Sequence, residues 1–527
     1  MNTIGQHLPP SSHVDVLIVG AGISGIGAGW HLTHRSPGRS WQIIESRDEI
    51  GGTWDLFRYP GIRSDSDMFT MGFSFRPWTE PRAISSGESI RQYVNDAADE
   101  FDLRRHIRFG WTVTAADWDS APGHWNVTLV GHTGGIHAGE TLTVTARFLF
   151  MCSGYYRYSQ GYLPSFPGID DYEGVLVHPQ RWDAAIDYSG KRVVVIGSGA
   201  TAMTLVPAMA ESAAKVTMLQ RSPTYVTSMP SIDQGAVNLR RRFGDRWGFH
   251  LSRWRKIIEA MVFFNLCRRQ PARVRRMLLG GVRAQLGPDY DIATHFTPDY
   301  NPWEQRLCLV PDGDLFAAIR SGRVKVVTDQ IEHFDAQGVL LKSGERLDAD
   351  IVVTATGLVL QLFGGAEISV DGVSVDWGSR YMYRGMMFNG VPNFANAIGY
   401  TNASWTLKCD LTCEYVTRVL NRMERDGAAW ACPDDPSTEI EPEPMLDFSS
   451  GYVRRSIDHL PKQGTRTPWK LYQNYLRDLL ALRYGRLRDG VLRFGSGALR
   501  TEKPGAITGA LQDDTSHCRS VADIAGG

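Results

Sequence analysis

The sequence predicts an α/β protein built from two parallel-sheet nucleotide-binding units, the second inserted into the first, and three observations predict it. Two glycine-rich turns, GAGISG from Gly20 to Gly25 and GSGATA from Gly197 to Ala202, each directly follow an apolar run, VDVLIV and RVVVI. A strand, a glycine turn and a helix in that order form the phosphate-binding corner of a Rossmann-like domain, with the helix N-terminus facing a pyrophosphate. The third observation is LDADIVVTATG, Leu347 to Gly357, which reads as a buried strand closing the second unit. The chain then crosses twice between the units, and a cleft between two bound nucleotides follows from that topology. Two nucleotide cofactors in one chain point to redox chemistry.

In the first unit Gly20 allows the tight turn, Gly22 lets the backbone approach a pyrophosphate, and Gly25 lets the helix pack on the sheet. The chain re-enters a strand at WQIIE, so Glu45 stands at its end, 25 residues after Gly20. That is close to the ~20 expected for a carboxylate that accepts from ribose hydroxyls. A long loop to about 85 and a helix around 88–101 follow. WTVTAADWD, HWNVTLV and ETLTVTARFLFMCSG have the β-branched and aromatic content of a small meander, and the apolar FLFMCSG reads as a buried strand returning to the first sheet.

The second unit starts near Lys191. Its turn is Gly197, Ser198, Gly199, Ala200 and Thr201, with Ala202 as the small residue in the third glycine position. After the next strand, KVTML, come Gln220, Arg221 and Ser222 where the first unit has Glu45. A guanidinium and a hydroxyl replace a carboxylate that would repel a 2'-phosphate, so this site is expected to prefer NADPH to NADH. Residues 231–300 interrupt the pattern as a helical insert. From Leu239 to Arg283 there are twelve Arg and one Lys against Asp245 and Glu259, interleaved with Trp247, Phe249, Trp254, Phe263 and Phe264. Two readings stay open: a solvated basic face covering the cleft, or a peripheral contact with an anionic membrane. Nucleic acid is disfavoured, since no recognition motif accompanies the charge. The expected domains are 1–155 and 351–500 for the first unit, 156–350 for the second, and a Gly, Ser and Thr rich tail at 501–527.

The whole-chain properties are those of a water-facing globular protein. The 527 residues are 43% hydrophobic and 21% charged with a net charge of −1, which gives no global pull toward nucleic acid or lipid. The N-terminus lacks the basic start and apolar core of a signal peptide, and no apolar run approaches the ~18 residues that span a bilayer. Seven cysteines without clustering fit a reducing cytoplasm and no disulfide framework. Cys409 and Cys413 are expected to be packed helix residues.

Two further stretches carry a family resemblance. GGTWDLFRYPGIRSD, Gly51 to Asp65, and YEGVLVHPQRWD, Tyr172 to Asp183, resemble the two signatures of the type I Baeyer–Villiger monooxygenases, with Tyr172 where Phe is usual. SDSDMFTMGFSFRPW, VTMLQRSPTYV and NPWEQRLCLVPDGDLF resemble the subgroup of mycobacterial ethionamide-activating monooxygenases. The resemblance spans about residues 14–425. It implies FAD in the first unit, NADPH in the second, dioxygen as co-substrate, and conversion of ketones to esters or lactones through a flavin peroxide that can also oxidise sulfur. Arg306 matches the family's catalytic arginine and Asp65 the acid that positions it. Gln305 stands where the family has a lysine, which leaves Arg221 and Ser222 to hold the 2'-phosphate. The resemblance further implies that Thr53, Trp54 and Tyr59 wall the flavin, that Val113 presents its backbone to the adenine, that Thr356 lies near the nicotinamide nucleotide, and that a helix starting at Trp405 faces the flavin ring. His178 and Trp182 are read as linker elements that couple the domains. Hydrophobic substrates are expected to meet the insert, Met68–Trp78 and Tyr381–Asn389. The alternatives are a flavin-containing S- or N-oxygenase and, outside enzymes, a nucleotide-binding redox sensor; a disulfide reductase is disfavoured by the absence of CxxC beside the flavin loop.

Overall fold

A computed structural model describes residues 11–445, 455 and 459–497. The expected tail at 501–527 lies outside the described residues. The first sheet is built on β1 (His13–Val19), whose side chains are nearly all buried because strands lie on both sides of it, helices pack on one face and further strands on the other. After the glycine turn comes α1 (Ile23–Arg35), then β2 (Trp41–Ile44), parallel to β1. Two one-turn helices, α2 (Thr53–Leu56) and α3 (Met68–Met71), punctuate the long loop before α4 (Gly87–Glu100), which Ser86 caps by accepting from the Ser89 amide. The short β3 (Ile107–Arg108) adds to the edge beside β2.

The meander is β4 (Trp111–Asp119), β5 (His124–Gly131) and β6 (Thr141–Met151). The buried strand expected at FLFMCSG does return to the first sheet, as the second half of β6. Thr141–Ala146 pairs antiparallel with β5, while Thr145–Met151 pairs parallel with β1. TLTVTARFLFM contains no glycine, proline, asparagine or aspartate to turn the chain, so one strand serves both layers. Its burial changes accordingly, from alternating in the half-covered meander to continuous in the two-sided core.

The second sheet is wholly parallel. β7 (Val175–Val177) and β8 (Arg192–Ile196) precede the glycine turn and α5 (Ala200–Met209), and β9 (Lys215–Gln220) follows. β10 (Val226–Met229) then leads into the insert. There α6 (Gln234–Arg269) bends at Gly244, which has φ 74 and ψ 172, and α7 (Pro271–Leu286) and α8 (Ile292–Phe296) complete the helical layer. β11 (Cys308–Pro311) pairs with β10, and α9 (Asp314–Arg320) leads to β12 (Val324–Thr328). A three-stranded antiparallel sheet, β13 (Ile331–Asp335), β14 (Gly338–Leu341) and β15 (Arg346–Asp348), precedes β16 (Ile351–Thr354). The order in the large sheet of this unit is β12-β9-β8-β16-β7. The boundary drawn at 350/351 therefore moves: Ile351–Thr354 is a strand of the second unit, and the chain leaves it only afterwards. It rejoins the first sheet at β17 (Glu367–Val370), parallel to β4. The long helix named from Trp405 is present as α10 (Trp405–Asp426) and lies against α1.

The units are locked together by side chains from each. Phe57 and Tyr59 leave the first unit and join the apolar core of the second, beside Met203, Leu205 and Val206 of α5. Gly61 has φ +73, and a Cβ there would lie 2.6 Å from the Ala208 Cβ, so only glycine lets this loop run along α5. On the far side, Arg253 of α6 is buried and donates from Nη1 to the carbonyls of Phe69 at 2.9 Å, Thr70 at 3.2 Å and Gly72 at 2.7 Å. The insert is thereby fixed to the loop of the first unit.

Candidate active site

A cavity of about 370 Å³ runs from the end of β1 across to Arg306. Its first stretch is the glycine turn. Gly20 has φ +102, and a Cβ there would fall 2.7 Å from the Cys152 carbonyl oxygen; at Gly25 it would fall 1.9 Å from the carbonyl oxygen of Gly20. The turn and helix can close this tightly only without side chains, which leaves the helix N-terminus bare toward the cavity. Gly22 faces Gly52 across a short gap, so two backbones flank the place a pyrophosphate would take. This cradle fits an extended dinucleotide.

Glu45 lies on the cavity wall, buried, with Oε2 accepting from the Ala21 amide at 2.7 Å and Oε1 from the Arg47 amide at 2.9 Å. Burial raises its pKa, and the two amides oppose that shift. The carboxylate thus braces the glycine turn and keeps lone pairs for a ribose hydroxyl. Val113 on β4 lines the same end.

At the other end the lining includes Thr53, Trp54 and Tyr59 of the first signature. Thr53 Oγ1 is 3.3 Å from the Tyr158 hydroxyl. Tyr59 is both wall and anchor, since its ring belongs to the core of the second unit and its hydroxyl bonds Thr201. Burial pushes that phenol up to about 12. Trp405 opens α10, donates from Nε1 to Ser24 Oγ at 2.8 Å and stacks on Tyr155 with ring centroids 5.0 Å apart. The expected helix start at this residue therefore borders the cavity.

Arg306 and Asp65 meet. Arg306 Nη2 lies 2.9 Å from Asp65 Oδ2, both side chains are about two-fifths exposed, and both line the cavity. Asp65 comes from the loop after α2 and Arg306 from the residues before β11, so the pair joins the two units. Ala200 and Thr201 of the second glycine turn also line this cavity, whereas Gly197, Ser198, Gly199, Arg221 and Ser222 stand outside it. Ser198 Oγ donates to the Ser222 carbonyl at 3.0 Å, and Arg221 and Ser222 are exposed past the end of β9. Around Gly199 there is open space. Thr356 also stands outside this cavity, and its hydroxyl donates to the Tyr162 carbonyl at 2.5 Å.

His178 has both ring nitrogens engaged. Nδ1 accepts from the Gln180 amide at 3.1 Å, which leaves Nε2–H to donate to the Gly357 carbonyl at 3.1 Å. Burial lowers its pKa, consistent with a neutral ring. It ties the end of β7 to the chain that leaves β16. The Tyr172 hydroxyl donates to the Ala349 carbonyl at 3.0 Å, and Trp182 packs on the core of the second unit beside Tyr188. Two features escaped sequence reasoning. Arg63 is a second cation on the cavity wall, ion-paired with Asp314 of α9. Tyr155, Tyr156 and Tyr158 line it too, and the run YYRY after FLFMCSG was the available signal.

Two Rossmann-like units, the first opening its glycine turn and the second the start of α5 on one cavity, with an arginine–carboxylate pair across the gap, define a two-nucleotide flavoprotein oxidoreductase. The family model for flavin-binding monooxygenase-like proteins matches residues 14–243. The chain is 52% identical over 485 residues, 92% of its length and 98% of the relative's, to the FAD-containing monooxygenase EthA of Mycobacterium tuberculosis. It is similar in structure to an oxidized steroid monooxygenase bound to NADP, with TM-score 0.71 and 23% identity over 92% of this chain and 100% of that one. It is also similar to cyclohexanone monooxygenase bound to epsilon-caprolactone, with TM-score 0.70 and 22% identity over the same shares. The chain belongs to the flavin-binding monooxygenase-like family and is one of its FAD-containing monooxygenases. The redox-sensor alternative falls with that membership.

Proposed function

We propose that the protein is a Baeyer–Villiger monooxygenase that uses NADPH and dioxygen to insert one oxygen atom beside the carbonyl of a hydrophobic ketone. The balance is ketone, dioxygen, NADPH and a proton giving ester or lactone, water and NADP⁺. The observation that carries the reading is the Arg306–Asp65 pair, 2.9 Å apart on the wall of the cavity that holds the first glycine turn. FAD, when bound there and reduced by NADPH, supplies the activated oxygen.

The chain's own residues do the rest. The bare N-terminus of α1 and the Gly22–Gly52 gap take the pyrophosphate, and Glu45 accepts from the ribose. Arg306 offers a cation that stays protonated at every working pH, with fixed donors for the oxyanion that develops when the carbonyl is attacked. Asp65 holds that guanidinium toward the cavity. Trp54, Tyr59, Tyr155 and Trp405 exclude water, which strengthens the charge they surround. Arg221 and Ser222, exposed at the end of β9, bind the 2'-phosphate without help from a lysine at Gln305. His178 positions the crossing at Gly357 and takes no part in proton transfer, because both its nitrogens are bonded. Soft sulfur is a second substrate class, since the same oxygen is electrophilic toward a thioether.

The test is anaerobic reduction by NADPH and by NADH, followed by air with a ketone and a thioether present and mass analysis of the products. Ester from the NADPH sample, with slower reduction by NADH, is the expected result. Sulfoxide alone would favour the S-oxygenase reading, and hydrogen peroxide without any product would overturn the substrate assignment.

A further inference from the structure

The oxygenation chemistry leaves one face of the insert unused. Trp247, Leu251, Trp254, Ile258 and Val262 recur on α6 at three- and four-residue spacing, so they share one side of the helix, and all five are exposed. Phe249, Ser252, Arg253 and Ile257 are the buried side. A surface helix normally turns polar residues outward, so an apolar stripe opposite an already buried face needs a partner. Trp254 meets Tyr475 edge to face, ring centroids 5.8 Å apart, which sets the helical segment from Tyr475 to Tyr484 beside the stripe. Leu476, Leu480 and Tyr484 are exposed there and widen the patch.

Charge selects the occupant. Arg241, Arg242 and Arg246 are exposed at one end of the stripe, and Arg269, Arg273 and Arg276 at the other. The two acids along α6 are already matched: Asp245 pairs with Arg240, and Glu259 with Arg255 and Lys256. The patch is therefore aromatic and aliphatic in the middle with a cationic rim. A second copy of the chain would bring two such rims together and repel, whereas an anionic lipid surface would neutralise them. No helix among the described residues is long and apolar enough to cross a membrane, so the contact is peripheral.

We propose that α6 and the segment from Tyr475 to Tyr484 form a docking face for an anionic lipid surface. On its other side the same helix holds a loop that lines the cavity. Arg253 holds the carbonyls of Phe69, Thr70 and Gly72, and Met71 between them lines the cavity wall. Docking thus sets lipid against the helix that holds this part of the wall and, resting on the monooxygenase reading, favours substrates dissolved in the bilayer.

The experiment is flotation of the full-length FAD-loaded protein with vesicles of phosphatidylcholine alone and of phosphatidylcholine with phosphatidylglycerol. A double variant, Trp247→Ser with Leu480→Ser, is run beside it; these positions are 67% and 63% exposed, so the fold is left intact. The expected result is flotation with the anionic vesicles, weakened by salt and reduced about tenfold in the variant, while NADPH oxidation with a water-soluble ketone is unchanged. Turnover of a vesicle-dissolved ketone should fall in the variant. Absence of flotation, equal binding to phosphatidylcholine alone, or an unaffected variant would overturn the proposal. A dimer in size-exclusion chromatography that the variant abolishes, without flotation, would make a second copy the occupant. Because flotation needs no turnover, its failure is distinguishable from failure of the oxygenation reading.

Discussion

Arg221 and His178 act at the residue scale through opposite means, one by exposed charge and one by buried neutrality. Arg221 is free to fold over a 2'-phosphate, so Arg221→Ala should raise the KM for NADPH by about tenfold or more and leave that for NADH nearly unchanged. Equal loss with both coenzymes would remove the assignment. His178 is held neutral, its pKa lowered by burial against the opposing pull of the Gly357 carbonyl. The unfolded chain then takes up the proton first as pH falls, so the folded state loses stability below the ordinary histidine value of about 6.5. Melting temperature should drop between about pH 7.5 and about pH 5.5, and His178→Gln should flatten part of that drop. The partly buried His106, His250 and His295 shift the same way and add to the drop. At this scale the sequence was legible where a motif fixes the neighbours, as for Asp65 with Arg306. It was illegible at Arg63, whose partner Asp314 lies 251 positions away.

At the scale of elements, the first signature is a strap between units. It starts under the glycine turn at Gly51, gives Phe57 and Tyr59 to the core of the second unit, and passes α5 at Gly61. A side chain at position 61 would need both a left-handed backbone and space that Ala208 fills. Gly61→Val should therefore lower stability by about 1–3 kcal/mol and slow reduction by NADPH while FAD remains bound. Differential scanning calorimetry with stopped-flow reduction would check this, and a variant with unchanged melting and reduction would contradict the strap. Strand positions and the α10 start could be read from apolar runs and punctuation, as at β1, β8 and β16. The residue within β6 at which its partner changes could not, because a half-covered and a fully covered strand have different patterns even when they are one chain segment. The bend of α6 at Gly244 had a single glycine as its signal, and glycine alone does not distinguish a kink from an unbroken helix.

For the whole molecule, the decisive fact is that the cavity belongs to neither unit alone. The first supplies the glycine turn of β1 and α1 together with Asp65; the second supplies Ala200, Thr201 and Arg306. Arg63 with Asp314 is a second bond across the same gap. Loss of that tie by Asp314→Asn should loosen the approach of the units and raise the share of NADPH lost to hydrogen peroxide, measured as peroxide released per NADPH oxidised; unchanged coupling would show that the Arg306–Asp65 pair holds the units by itself. The two-unit architecture was legible from two glycine turns and a closing strand, while the side-chain contacts that join the units depend on distant residues and needed the fold.

Oxygenation that depends on Arg306 after the flavin is reduced is tested most directly by Arg306→Ala, comparing the rate of anaerobic reduction by NADPH with the rate of ester formation in air. Reduction close to wild type with ester formation lower by about a hundredfold or more is the predicted result. Ester formation at the wild-type rate would contradict it.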